Sequence, residues 1–88
     1  MFRIQFAESA GKELDRIYRR DRKLYHRLLS AIEPLGQNPY LGKKPKGVLG
    51  RDYSLRVDSY RIIYTILKEK LLVTVIDLGH RKDIYRLR

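Results

Sequence analysis

Three apolar runs in the second half of the chain, Tyr53–Val57, Tyr60–Leu67 and Leu71–Leu78, are separated by only two residues, Asp58-Ser59, and three, Lys68-Glu69-Lys70. Links this short reverse the chain into an antiparallel neighbour, because a parallel crossover needs about a dozen residues or more. In the first run Tyr53, Leu55 and Val57 alternate with Ser54 and Arg56, the period-two pattern of a half-buried strand. The last run is apolar on both parities except at Thr74 and Asp77, which predicts a strand at the centre of the sheet.

The first half reads differently. Phe2, Ile4 and Phe6 alternate with Arg3 and Gln5, predicting another strand. Glu8 or Ser9 is then placed to cap a helix whose apolar face is Ala10, Leu14, Ile17 and Tyr18. Asp21 is placed to cap a second helix, where Leu24, Leu28, Ala31, Ile32 and Leu35 recur at helical spacing until Gly36 and Asn38-Pro39 stop it. So short a link predicts an antiparallel helix hairpin. From Asn38 to Gly50 the chain holds three glycines, two prolines and three lysines, which reads as an exposed loop. The expected fold is α+β in the order β-α-α-β-β-β, an antiparallel sheet with the two-helix hairpin on one face. The 88 residues, 43% of them hydrophobic, form a single domain over 1–88.

Twenty Lys/Arg against ten Asp/Glu leave a formal net charge of +10. A field of that strength selects polyanions, with nucleic acid first. No apolar stretch approaches the roughly 20 residues of a spanning helix, and the strand-like start lacks the apolar block of a signal peptide. No membrane partner is expected, and the cytoplasm is the expected location. The absence of cysteine excludes disulfides and thiolate metal sites. His26 and His80 follow no metal-ligand spacing, so neither a metal nor a cofactor is expected.

If helices cover one sheet face, the other face carries function. Ser54 and Arg56 then lie on it, Arg61 starts the neighbouring strand, and the segment after Gly79 brings His80, Arg81 and Tyr85 to the strand end. The candidate catalytic set is Arg56, Arg61, His80, Arg81 and Tyr85, gathered in one concavity. Lys43, Lys44, Lys46, Arg51, Ser54, Lys82 and Arg86 are the candidate substrate-binding residues. For the three lysines a solvated loop is the competing reading. Clustered guanidinium groups repel unless an anion sits between them, and an RNA phosphodiester supplies one together with an internal 2′-hydroxyl nucleophile. Arginines can stabilise the charge that builds on phosphorus, and histidine can carry protons near neutrality. Tyr60 and Tyr64 read as core or cross-strand packing, and His26 as a surface residue.

Taken together, the element order, the run Tyr53-Ser-Leu-Arg-Val-Asp-Ser-Tyr-Arg-Ile-Ile-Tyr64 and the ending Gly79-His-Arg-Lys-Asp-Ile-Tyr-Arg86 resemble the RelE/ParE superfamily of type II toxins. The resemblance spans essentially the whole chain. Its RelE branch implies a metal-independent endoribonuclease that cuts mRNA in the ribosomal A site, with a RelB-like antitoxin and the ribosome with its mRNA as partners. Arg61, Arg81 and Tyr85 fall on three of that branch's functional positions. Arg56 and Ser54 fall where lysines occur in the family, and arginine, unlike lysine, effectively cannot give up its proton. With the family's lysine role unassigned, the expectation is that Arg56 and Arg61 hold the scissile phosphate, Arg81 stabilises the developing charge, and His80 or Tyr85 moves a proton. The ParE branch shares the fold and poisons DNA gyrase without cutting RNA. A non-catalytic RNA-binding module is the third possibility.

Overall fold

A computed structural model describes residues 1–44 and 52–80. The chain enters as β1 (Arg3–Phe6) and passes into two helices, α1 (Glu8–Arg20) and α2 (Arg22–Ile32). Short 3₁₀ turns follow at Glu33–Gly36 and Pro39–Leu41. β2 (Tyr53–Val57), β3 (Tyr60–Leu67) and β4 (Leu72–His80) complete the sheet, whose strand order is β1-β4-β3-β2. As expected, β4 is central. The β2-β3 and β3-β4 pairs are antiparallel, as the two short links require. The sheet is nonetheless mixed, because β1 joins β4 in parallel. The connection from β1 runs through both helices, long enough for a crossover that puts it beside a distant strand in the same direction.

The helices form by caps and apolar stripes. Asp21 is the single residue between them. Its backbone N–H donates to the Ile17 carbonyl at 2.7 Å, closing α1, and its carboxylate accepts from the Leu24 N–H at 3.1 Å, opening α2. The start of α1 departs from expectation. Ala7 occupies the cap position with no side-chain bond. Its N–H is already held by the Val75 carbonyl at 2.9 Å, so the sheet ladder delivers the chain directly into the helix. Ser9 then lies inside the first turn, where its hydroxyl donates to the Ile76 carbonyl, and Glu8 instead pairs with Lys12. α2 also ends earlier than its apolar spacing suggests. Pro34 has no N–H to continue the α ladder, and the chain tightens into a 3₁₀ turn that still buries Leu35.

One face of the sheet carries the core. Ala10, Leu14 and Ile17 of α1 and Leu28 and Ile32 of α2 meet Ile62 and Tyr64 of β3 and Val73, Val75 and Leu78 of β4. Tyr53, Leu55 and Val57 pack against the same cluster from β2, as their parity predicts. Tyr18 sits at the rim, with Tyr25 edge-on to it at 4.9 Å between ring centroids and the Arg22 guanidinium 4.9 Å from its ring centre. A register shift between Ile63 and Tyr64 leaves Ile76 as the extra residue on β4. The Asp58-Ser59 turn uses left-handed backbone at Asp58, whose carboxylate is paired with Arg27 of α2.

Candidate functional site

Cross-strand partners share a face, so the pairing register shows which side chains stand together. Tyr53 pairs with Tyr64, Leu55 with Ile62 and Val57 with Tyr60, and these pairs define the helix-covered face. The pairs between them, Ser54 with Ile63 and Arg56 with Arg61, stand on the opposite face. Arg56 is exposed. Arg61 is half-buried, with its Nε shut off from solvent. Across from Arg61 on β4 stands Gly79, which presents no side chain there. Two guanidinium groups directly opposite one another destabilise a ladder, and an anion between them removes that cost.

The structure thus brings together Arg56, Arg61 and Ser54 of the expected set. Lys43, also of the expected set, joins them by a contact that local pattern could not reveal. The Lys43 N–H donates to the Ser54 carbonyl at 2.7 Å and the Ser54 N–H to the Lys43 carbonyl at 3.2 Å, an isolated antiparallel bridge on the outer edge of β2. The segment from Asn38 to Lys43, expected as an exposed loop, is therefore tied to the sheet at both ends of this stretch. Its anchor is Tyr64, fully buried, whose hydroxyl donates to the Pro39 carbonyl at 2.7 Å and accepts from the Gly42 N–H at 2.9 Å. Burial pushes the Tyr64 phenol above its ordinary pKa, the Gly42 hydrogen bond pulls the other way, and the nearby Tyr53 adds to the rise. Position 42 admits only glycine, because a Cβ there would lie 2.5 Å from the Tyr64 hydroxyl and 2.7 Å from the Ser54 carbonyl. Lys44 is exposed and lies just past the bridge.

His80 does not join the arginines. It pairs with Tyr60, and the two rings meet edge-on at 5.9 Å on the side of the sheet that α1 covers. The alternation that puts Leu78 in the core carries His80 to the same side, while Gly79 takes the position beside Arg61. A cleft of about 410 Å³ opens there between α1 and β4, lined in part by Lys12, Arg16, Arg20, Tyr60 and His80. Arg20 donates to the Tyr60 hydroxyl across it at 3.1 Å. His26 is exposed on α2, as expected. The candidates Lys46, Arg51, Arg81, Lys82, Tyr85 and Arg86 lie outside the described residues. Among the described residues no group of three or more His, Cys, Asp or Glu could hold a metal ion, and no helix is long and apolar enough to cross a membrane.

This geometry has close counterparts. A family model described as the ParE toxin of type II toxin-antitoxin systems matches residues 4–85. Toxin RelG of Mycobacterium tuberculosis is 30% identical over 91 residues, covering 97% of each chain. A Methanocaldococcus jannaschii protein with the provisional name toxin RelE4 is 26% identical over 87 residues, covering 98% of this chain and 93% of its own. The isolated RelE toxin of Escherichia coli has the same fold, with a TM-score of 0.78 at 18% identity over 100% of both chains. The toxin in the intact RelBE complex of the same organism gives a TM-score of 0.77 at 24% identity, over 91% of this chain and 96% of that one. With the helix hairpin on one face, the basic register on the other and a family match along nearly its whole length, the chain belongs to the RelE/ParE superfamily of type II toxins.

Proposed function

We propose that the chain is a ribosome-dependent mRNA endonuclease whose working surface is the sheet face opposite the helices. The observation that carries this reading is the direct pairing of Arg56 with Arg61 on that face. A phosphodiester between the two guanidinium groups is held by charge-assisted hydrogen bonds. The reaction is attack by the 2′-oxygen on the adjacent phosphorus. The 2′-hydroxyl loses its proton, the O2′–P bond forms, the P–O5′ bond breaks and the departing 5′-oxygen gains a proton. The products are a cyclic phosphate and a 5′-hydroxyl. Arg56 and Arg61 orient the phosphate, and with Arg81 they stabilise the charge on its oxygens as the phosphorus becomes five-coordinate. Arginine carries no proton in or out of this cycle, so that task falls to another group, with Tyr85 the candidate after His80 is set on the far side of the sheet.

The names RelG and RelE4 among the relatives support the RNA-cutting branch. The ParE description of the family model favours the second reading, a gyrase poison. Purified protein added to translating ribosomes, beside a gyrase supercoiling assay, separates them. Discrete mRNA cuts that fall about 10²–10³-fold in Arg61→Ala support the nuclease. Loss of supercoiling with intact mRNA supports the poison. The partner in either case is an antitoxin, for which several structural neighbours, solved as toxin-antitoxin complexes, offer precedent. An acidic segment laid on the Arg56–Arg61 face would neutralise the surface that holds RNA. Ribosome and antitoxin place the protein in the cytoplasm.

A further inference from the structure

We propose that Lys43 is a phosphate-binding residue of the arginine face, and that the buried Tyr64 hydroxyl is the device that positions it; the inference rests on the RNA-cutting reading above. Position 54, on the open face beside Arg56, is a serine and supplies no charge. The bridge to Lys43 places a lysine directly across from it. Hydrogen-bonded cross-strand partners lie about 5 Å apart and extend their side chains to one face, so Lys43 emerges beside Ser54 and diagonal to Arg56. The face then holds two adjacent rows, Lys43-Ser54-Ile63-Asp77 and Arg56-Arg61-Gly79, the one acid standing on β4, at the far end from Lys43. An ammonium and two guanidinium groups border the half-buried Ser54 and the buried Ile63. The spacing of about 7–8 Å between diagonal neighbours lets long side chains meet on one phosphate or on two successive ones.

A lysine at an outer edge would ordinarily wander with its loop. Here the backbone is fixed from below. The Tyr64 hydroxyl, projecting from the core, holds the Pro39 carbonyl and the Gly42 N–H, and these two bonds present residue 43 to β2. Gly42 gives the close approach that the hydroxyl needs. Lys23, of equal charge and exposed on α2, lies on the helix side of the sheet and provides an internal control.

The test measures affinity for a single-stranded RNA analogue carrying 2′-O-methyl groups, which no 2′-hydroxyl chemistry can cut, as a function of salt. Each phosphate contact on a single strand contributes about 0.7 to the slope of log K against log salt. Lys43→Gln is expected to reduce the slope by about that amount, Lys43→Arg to restore it, and Lys23→Gln, on α2, to leave it at the wild-type value. Tyr64→Phe keeps the ring in the core and is expected to reproduce part of the Lys43→Gln loss while the far-ultraviolet circular dichroism stays native. Equal losses in Lys43→Gln and Lys23→Gln, or none in either, would overturn the proposal, since charge alone or neither lysine would then account for binding. Arg61→Ala in the same series keeps the two claims apart. If it binds like wild type and cuts like wild type, the reading of the face as the nuclease surface fails; if it is impaired while Lys43→Gln is not, only the role of Lys43 fails.

Discussion

Arg56 and Arg61 face each other across a ladder in which like charges cost stability, and that tension is where function is legible at the scale of single residues. At exposed Arg56, Arg56→Ala is expected to leave the unfolding temperature near that of wild type while binding RNA more weakly; thermal unfolding and a binding titration check both halves. Tyr64 makes the opposite kind of contribution. Its phenol is raised by burial, so the folded protein keeps that proton at a pH where the unfolded chain has lost it. The associated stability is fully present below about pH 10 and is lost as pH rises from there through the folded-state value. Denaturant unfolding between pH 9 and pH 11 is expected to show a steeper loss for wild type than for Tyr64→Phe. Strand parity put Ser54 and Arg56 on the face opposite the helices, where the register also has them, while the facing of Arg61 came only with its pairing to Arg56. The same local reading assigned His80 to the wrong side, because facing at the end of β4 depends on how many residues a bulge inserts, and the extra residue Ile76 has no local signature.

At the scale of elements the chain was readable wherever the governing physics is local. The two- and three-residue links dictated antiparallel pairing, and Asp21 caps α2 through its own side chain. Asp21→Ala is expected to cost about 1 kcal/mol, seen as a drop in denaturation midpoint without a change in slope. The turn into β4 offers the converse. Leu71 adopts left-handed backbone at φ 49° while its side chain is exposed, a conformation that costs a branched aliphatic residue about 1 kcal/mol or more. Asn tolerates that region, so Leu71→Asn is expected to raise the melting temperature by several degrees. Long-range terms escaped the local reading. Ala7 replaces Glu8 or Ser9 at the start of α1 because β4 holds its N–H, and β1 lies parallel to β4 because the intervening helices form the crossover. The stretch around Gly42 has the composition of a free loop, yet a tyrosine more than twenty positions away pins it.

For the molecule as a whole, two faces of one sheet divide the work. The helix-covered face holds the core and the Tyr60–His80 cleft; the other carries the basic register of Arg56 and Arg61 on β2 and β3. A net charge of +10 draws any polyanion, so salt-sensitive binding alone does not distinguish a nuclease from a sticky basic fold. Position-specific cleavage does. The most direct measurement induces the gene alone in cells, together with an Arg61→Ala control, and maps the 5′ ends of cellular mRNA. New 5′-hydroxyl ends within translated reading frames are expected in the wild type, and their loss in Arg61→Ala. Ends that persist undiminished in Arg61→Ala, or intact mRNA accompanied by inhibited gyrase, would contradict the nuclease reading.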